Sequence, residues 1–371
     1  MVYDIIVSGH LCADLIPDTS KLPLQALANP GKLYEVDALN IATGGSVSNT
    51  GIALHTLGIN VGLMTTVGDD LLGRVIIAKL KDRDPKLGDM IAVRQDEASS
   101  YSIILSPENA DRIILHCTGN NDHFDADDID FDIVSQAKIF HLGYPPLLPK
   151  LYANNAETLI SIFRTIYESG VLTSLDMAHP DPHGLSGKVN WKNVLQNLLP
   201  YVDIFLPSIE EVVFMMRRSD YDQWKGDILP QLTREYLHSL AQDLLKMGAT
   251  IVGFKLGELG SYLSTTLDVN KLERFRKIGL DINKWQGIDK WQPAYDVQVV
   301  GTTGAGDSAY GGFLAALIRG LDADSAMRVM CAVGACNVEA HDASSGLKTW
   351  DATVSRIDAG WEASSLQLKN Q

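Results

Sequence analysis

The sequence predicts an α/β fold: a doubly wound, mostly parallel sheet flanked by helices, with a small β-strand lid. Three observations carry that prediction. Short apolar runs bounded by turn residues alternate with helix-period segments along most of the 371 residues, the pattern of strand–helix units in a parallel sheet. Twice a glycine-rich turn leads directly into a helix, at residues 43–54 and 299–309. Between them, residues 98–117 break the rhythm with two adjacent strand-like runs and no helix. A chain of this length can bury a large core, and we read it as a single domain, 1–371, with a lid element within 98–117.

Residues 3–8 form the first strand, leading into Gly9-His10-Leu11-Cys12-Ala13-Asp14. Asp14 stands just past the strand's carboxyl end, where open α/β sheets place ligands; a plain loop aspartate fits as well. Residues 15–42, with Pro17, Pro23, Pro30 and Gly31, read as irregular with short extended pieces such as Lys32-Leu33-Tyr34-Glu35-Val36. Thr43-Gly44-Gly45-Ser46-Val47-Ser48-Asn49 then turns into a helix ending near Gly58. A strand at 61–67 and a helix to about Lys81 follow. Tyr101-Ser102-Ile103-Ile104-Leu105-Ser106, a turn at 107–110 and Arg112-Ile113-Ile114-Leu115-His116 read as a hairpin, placed as a lid over a site. The acidic run 122–132 reads as solvated surface.

The alternation then resumes: strand 137–142, helix 152–169, strand 172–175 ending at Asp176, a polar loop at 179–187, a helix, and strand 203–206. Pro207-Ser208-Ile209-Glu210-Glu211 opens a further helix, with Ser208 at the cap and Glu211 in capping-box register, a sufficient structural reason for both. Strand 250–255 ends at Lys255 and turns through Gly257, and residues 268–293 are less regular.

Tyr295-Asp296-Val297-Gln298-Val299-Val300 alternates apolar and polar side chains, as a half-buried strand does. Residues 309–319 read as a helix stopping at Gly320. Between them, Gly304 and Gly306 allow backbone angles closed to other residues and a close approach by a ligand. The free N–H groups of the helix start, helped by its dipole, make an anion site. A carboxylate at its mouth, Asp307, suits proton abstraction from a hydroxyl that then attacks a phosphate. The alternative is an aspartate that only caps the helix. A dinucleotide fingerprint, Gly304-x-Gly306-x-x-Ala309, fails because no strand with an acidic end follows the helix.

The net charge of −15, from 31 basic and 46 acidic residues, argues against nucleic-acid or anionic-membrane partners. No run is apolar enough to span a bilayer, and no signal-peptide pattern opens the chain, so a cytoplasmic protein is expected. Cys12, Cys117, Cys331 and Cys336 are scattered and indicate neither zinc nor a disulfide framework. The motifs of P-loop nucleotidases, zinc proteases, α/β-hydrolases and protein kinases are absent.

Gly44-Gly45-x-x-x-Asn49 together with Thr302-Thr303-Gly304-Ala305-Gly306-Asp307 resembles the ribokinase-like, PfkB-type carbohydrate kinases, in order and layout over nearly the whole chain. That resemblance implies transfer of the γ-phosphoryl group of ATP to a hydroxyl of a sugar or sugar-like substrate, with Mg2+. It implies Asp307 as general base and the Gly304-Ala305-Gly306 backbone as anion hole, and it places substrate contacts on Asp14, Gly45 and Asn49. Ser208, Lys255, Gly257 and Asn337 fall at nucleotide-binding positions, and Glu211 at the position that organises magnesium. Ser208 and Lys255 depart from the family's usual asparagine and threonine. Gly301 replaces an aspartate that helps hold a monovalent cation, so potassium activation is not expected. After Asp176, Met177-Ala178-His179-Pro180 replace the family's usual continuation, which points to an atypical acceptor. A nucleoside kinase of the same family, or a non-catalytic member that binds sugar or nucleotide, is the alternative. The resemblance implies a β-lid with elements within 15–42 and 98–117, and it allows a lid-mediated homodimer.

Overall fold

The apolar runs become the interior of a large sheet, and the glycine turns become the places where helices leave it. The computed structural model describes residues 3–108 and 112–369. β1 (Ile5–Gly9) leads into β2 (Cys12–Pro17) and β3 (Leu39–Gly44), then α1 (Ser46–Thr56), β4 (Val61–Gly68), α2 (Leu71–Arg83) and β5 (Ile91–Arg94). The hairpin β6 (Tyr101–Leu105) and β7 (Ile113–Cys117) precedes a short α3 (Phe131–Val134). Next come β8 (Ile139–Gly143), α4 (Pro149–Glu168), β9 (Leu172–Asp176), α5 (Trp191–Leu198), β10 (Ile204–Phe205), α6 (Ile209–Met216), α7 (Arg218–Gln223) and α8 (Arg234–Met247). The chain finishes with β11 (Ile251–Lys255), β12 (Ser261–Thr265), α9 (Val269–Leu272), β13 (Asp289–Gln292), α10 (Ala305–Ile318), α11 (Ala323–Val338) and α12 (Trp350–Asp358).

Among the described residues the main sheet has nine strands in the order β13-β12-β11-β10-β9-β8-β1-β4-β5. Its pairings are parallel from β5 to β11 and antiparallel for β11–β12 and β12–β13. β1, β4, β8, β9 and β11 are buried throughout, as expected of strands covered on both faces. One hydrophobic cluster joins α1, α2, α10 and α11 to one face, and a second joins α4, α5, α6 and α8 to the other. The chain builds outward from β1 to β4 and β5, then restarts at β8 and builds the other way. The order therefore reverses between β1 and β8, and ligands of open α/β sheets sit at the carboxyl ends of such a switch point. A separate four-stranded sheet, β3-β2-β6-β7, stands over that edge as the lid.

The structure corrects several expectations. Residues 295–300 are not a strand: apart from a single bridge between Tyr295 and Ala363, no ladder pairs them. Their N–H groups at Asp296 and Val300 bond Glu362 and Val338 instead, and the alternating side chains face a cleft. Asp14 lies not in a loop but inside β2, opposite Ala42 of β3. Those two strands, rather than residues 32–36, supply the order in the first irregular segment. β5 and β13 escape a reading by apolar runs because they are short edge strands, and β12, paired on both sides, because it is rich in Ser and Thr. The acidic run is not only solvated surface: Asp128 pairs with Arg94 at 2.6 Å and its side chain is 10% exposed. Of the turn expected at residues 107–110, residues 109 and 110 lie outside the described residues. No described helix is long and apolar enough to cross a membrane.

Candidate active site

The turn at residues 301–306 becomes a helix start because Gly304 takes a left-handed backbone, φ 71°. A Cβ there would lie 2.5 Å from the Cβ of Ala343. α10 begins at Ala305 with no side chain capping its first turn and the Ala305 N–H in only a long 3.4 Å bond to Thr302 O, so the positive end of the helix can receive an anion. Ala305 and Gly306 border a cavity of about 640 Å³, which Ser208, Lys255, Gly257 and Val299 also line.

Asp307 is almost fully buried, 2% exposed. Its Oδ2 accepts hydrogen bonds from Asn49 Nδ2 at 2.9 Å and from the Tyr144 hydroxyl at 2.8 Å. Its Oδ1 is buried and has no partner. The side chain is therefore not spent on capping the helix. Burial raises its pKa above the ordinary aspartate value, and the Lys255 ammonium and the two hydrogen bonds hold that rise back. A buried carboxylate with one unengaged oxygen beside an anion cradle can receive a proton from a hydroxyl brought to it.

Lys255, at the carboxyl end of β11, is held by Asp176 at the end of β9, with Nζ 2.7 and 2.6 Å from the two carboxylate oxygens. A Cβ added to Gly306 would lie 3.5 Å from that ammonium, so the cation sits against the helix start. Burial alone would lower the Lys255 pKa, but Asp176, Glu211 and Asp307 raise it overall and keep the amine charged. Burial pushes Asp176 up to about 6, with Lys255 opposing. Glu211 accepts the Ser208 N–H at 2.8 Å, completing the reciprocal cap, and burial holds its pKa well above the usual range.

Asp14 is buried within lid strand β2, its pKa raised to about 6 by burial, with Cys12 and Ser102 opposing and Asp307 adding to the rise. A Cβ on Gly44 would lie 2.3 Å from Asp14 Oδ2, and one on Gly45 would lie 2.6 Å from His10 Nδ1. The glycine pair thus makes room for the close approach of Asp14 and His10. Asn337 is fully buried and its Nδ2 bonds Ser308 Oγ at 3.1 Å and Ala343 O at 2.6 Å. Its neighbours Gly334, Ala335 and Val338 line the cavity instead. Gly301, where a cation-binding carboxylate was absent from the sequence, has no room for one: a Cβ would meet Ala340 O at 2.7 Å.

The structure also gathers residues the sequence reading did not single out. His10 and His116 face each other, Nε2 to Nε2 at 3.4 Å, joining the end of β1 to lid strand β7. Burial, reinforced by His116, lowers His10 to about 3, so it is neutral. Arg112 of the lid donates to Thr303 Oγ1 beside the anion cradle. Tyr144 follows β8 in a left-handed conformation, φ 67° and ψ 43°. The signal available was a bulky residue set between glycine and two prolines at a strand's carboxyl end, Gly143-Tyr144-Pro145-Pro146.

Comparison with known proteins agrees with this architecture. The family described as pfkB family carbohydrate kinase matches residues 3–350. A 2-dehydro-3-deoxygluconokinase from Bacillus subtilis (strain 168) is 23% identical over 329 residues, covering 89% of this chain and 90% of that one. A 5-dehydro-2-deoxygluconokinase from Clostridium perfringens is 24% identical over 353 residues, covering 94% of this chain and 91% of that one. Arabidopsis thaliana ribokinase, solved with ribose and ATP, superimposes with a TM-score of 0.71 at 20% identity, covering 96% of this chain and 98% of that one. A structure described as ribokinase II from E. coli, in complex with ATP and Mg2+, also gives a TM-score of 0.71, at 19% identity, covering 96% and 99%.

Proposed function

From the finding that this chain belongs to the pfkB family of carbohydrate kinases, we propose that it transfers the γ-phosphoryl group of ATP to a hydroxyl of a sugar or sugar acid, with Asp307 as the base. The observation that carries this reading is the buried, unpartnered Oδ1 of Asp307 in the first turn of an uncapped helix. ATP occupies the 640 Å³ cavity with its phosphates toward Gly304, Ala305 and Gly306. Their backbone N–H groups and the Lys255 ammonium stabilise charge on the transferring group, which is most of what phosphoryl transfer asks of a protein. The acceptor lies on the lid side, where Asp14 and Asn49 present a carboxylate and an amide and Gly45 packs closely against His10. Its hydroxyl gives its proton to Asp307 as its oxygen bonds phosphorus and the bond to ADP breaks.

The described residues contain no group of three or more His, Cys, Asp or Glu able to hold a metal. Magnesium binds chiefly through phosphate oxygens and water, with one or two carboxylates in support. Glu211, at the start of α6, and Glu210, on the cavity wall, are the residues placed to do so. Bound there, the ion neutralises phosphate charge.

A test is ADP release with MgATP against sugars, keto-deoxy sugar acids, sugar phosphates and nucleosides. We expect turnover with a sugar or sugar acid. Saturable binding without ADP formation would contradict the reading and support a binding protein; turnover confined to nucleosides would replace the acceptor class.

A further inference from the structure

We propose that Tyr144 is a positioning residue for the proton transfer: with Asn49 it clamps Oδ2 of Asp307, leaving Oδ1 as the oxygen that takes the acceptor's proton. This rests on the reading of Asp307 as the base. Both donors meet the same oxygen, at 2.8 and 2.9 Å. A carboxylate held by two donors on one oxygen cannot turn about its Cβ–Cγ bond without losing both, so the two oxygens are no longer equivalent. The engaged one has its lone pairs occupied, and the other keeps its own for an incoming proton.

The backbone shows what the chain gives up to place this hydroxyl. A left-handed φ of 67° is an outlier for an aromatic residue, and a following proline disfavours it further. Such conformations persist only where the surroundings over-determine them, and they gather at functional sites. Here the Tyr144 N–H bonds Asp176 O at 3.3 Å and its carbonyl accepts from Leu147 N at 2.9 Å. Gly143 before it leaves room for Ser46, whose Cβ would lie 2.3 Å from an added Cβ. The His10 ring packs beside it, centroids 6.0 Å apart. The switch point of the sheet thus places a phenol from the end of β8 against a carboxylate of α10.

The charged and titratable groups around the pair are Lys255 on β11, Asp176 on β9, Glu211 on α6, Asp14 on β2 and neutral His10 after β1. None of these donates a hydrogen bond to Asp307 in place of Tyr144. Loss of the phenol removes a group that favours the ionised carboxylate, so the Asp307 pKa rises.

The experiment compares Tyr144→Phe with Asp307→Asn and the unaltered full chain in steady-state kinetics across pH, with thermal melting as a folding control. Tyr144→Phe keeps the ring and removes only the hydroxyl. We expect kcat to fall by about 10–100-fold, in line with the cost of a misplaced catalytic group. The KM values for ATP and acceptor stay within about 3-fold, and the acidic limb of the kcat profile moves to higher pH. An unchanged kcat with an unmoved limb overturns the proposal. So does a raised acceptor KM with kcat intact, which would place Tyr144 on the substrate instead. If Asp307→Asn retains turnover, the reading of the base fails. If Asp307→Asn is inactive while Tyr144→Phe is unaffected, only the role of Tyr144 fails.

Discussion

Asp307 and Lys255 are the two charges on which the site turns, and both are set by burial. For Asp307, burial raises the pKa while Lys255, Asn49 and Tyr144 restrain it. A base acts only when ionised, so activity is lost as pH falls through the raised value. We predict an acidic limb in kcat/KM whose midpoint lies above the ordinary aspartate value of about 4; a limb at or below that value would contradict the assigned environment. Lys255 and Asp176 form a buried pair, 10% and 0% exposed at the side chain. Lys255→Met strands a buried carboxylate, and removing one partner of such a pair costs about 3–5 kcal/mol. Denaturant unfolding without nucleotide should show that loss, and adding Asp176→Asn should recover part of it. Additive losses would mean that the two residues do not stabilise each other. At this scale Asp307, Gly304, Gly306 and Asn49 were legible because each belongs to a short local motif. Tyr144 and His10 were not, because nothing in their own neighbourhoods shows that the sheet will carry them to a carboxylate beyond residue 300.

At the scale of elements, the glycine turn and α10 form a unit that a larger residue would disturb at two points. Gly304 needs its left-handed φ, and Gly301 is packed against the Ala340 and His341 carbonyls at 2.7 and 2.9 Å from where a Cβ would stand. Asp342 does not take over the missing carboxylate's place as a free group. Its Oδ1 accepts from the backbone N–H groups of Ser344 and Ser345 at 2.8 and 2.7 Å. The loop beside the cradle is thus ordered by its own hydrogen bonds and by Arg83, which donates to Ser344 Oγ at 2.7 Å. We predict rates within about 2-fold in sodium and potassium salts at equal ionic strength, well under the ten-fold that 1.4 kcal/mol would give. Strong potassium activation would mean that carbonyl groups hold the ion without the carboxylate. Element type was legible where a glycine turn opens a long segment of apolar and small residues, as in α1 and α10. Alternation misled at residues 295–300, where Tyr295, Val297 and Val299 line the cavity and no ladder pairs the segment.

At the scale of the molecule, the sheet's reversal between β1 and β8 explains why residues from five strand ends and two helices converge. Gly9 and His10, Tyr144, Asp176, Ser208 and Lys255 leave one edge of the sheet, and α1 and α10 point their first turns at it. The parallel core and the hairpin lid could be read from alternation and its interruption. Pairing of β2 with β3 and β6 could not, because lid contacts join segments distant in sequence. With a net charge of −15, an anionic nucleotide would have to be held through local groups, which is the part the proposed function gives to the helix start and Lys255. The central claim is that this convergence serves proton abstraction at Asp307 and not merely ligand binding. Its most direct test measures both quantities on one variant: turnover, and calorimetric affinity for MgATP and acceptor, for Asp307→Asn. The account predicts a loss of kcat of about 100-fold or more with both affinities within about 3-fold of the unaltered chain. Binding and rate lost together, or turnover retained, would contradict it.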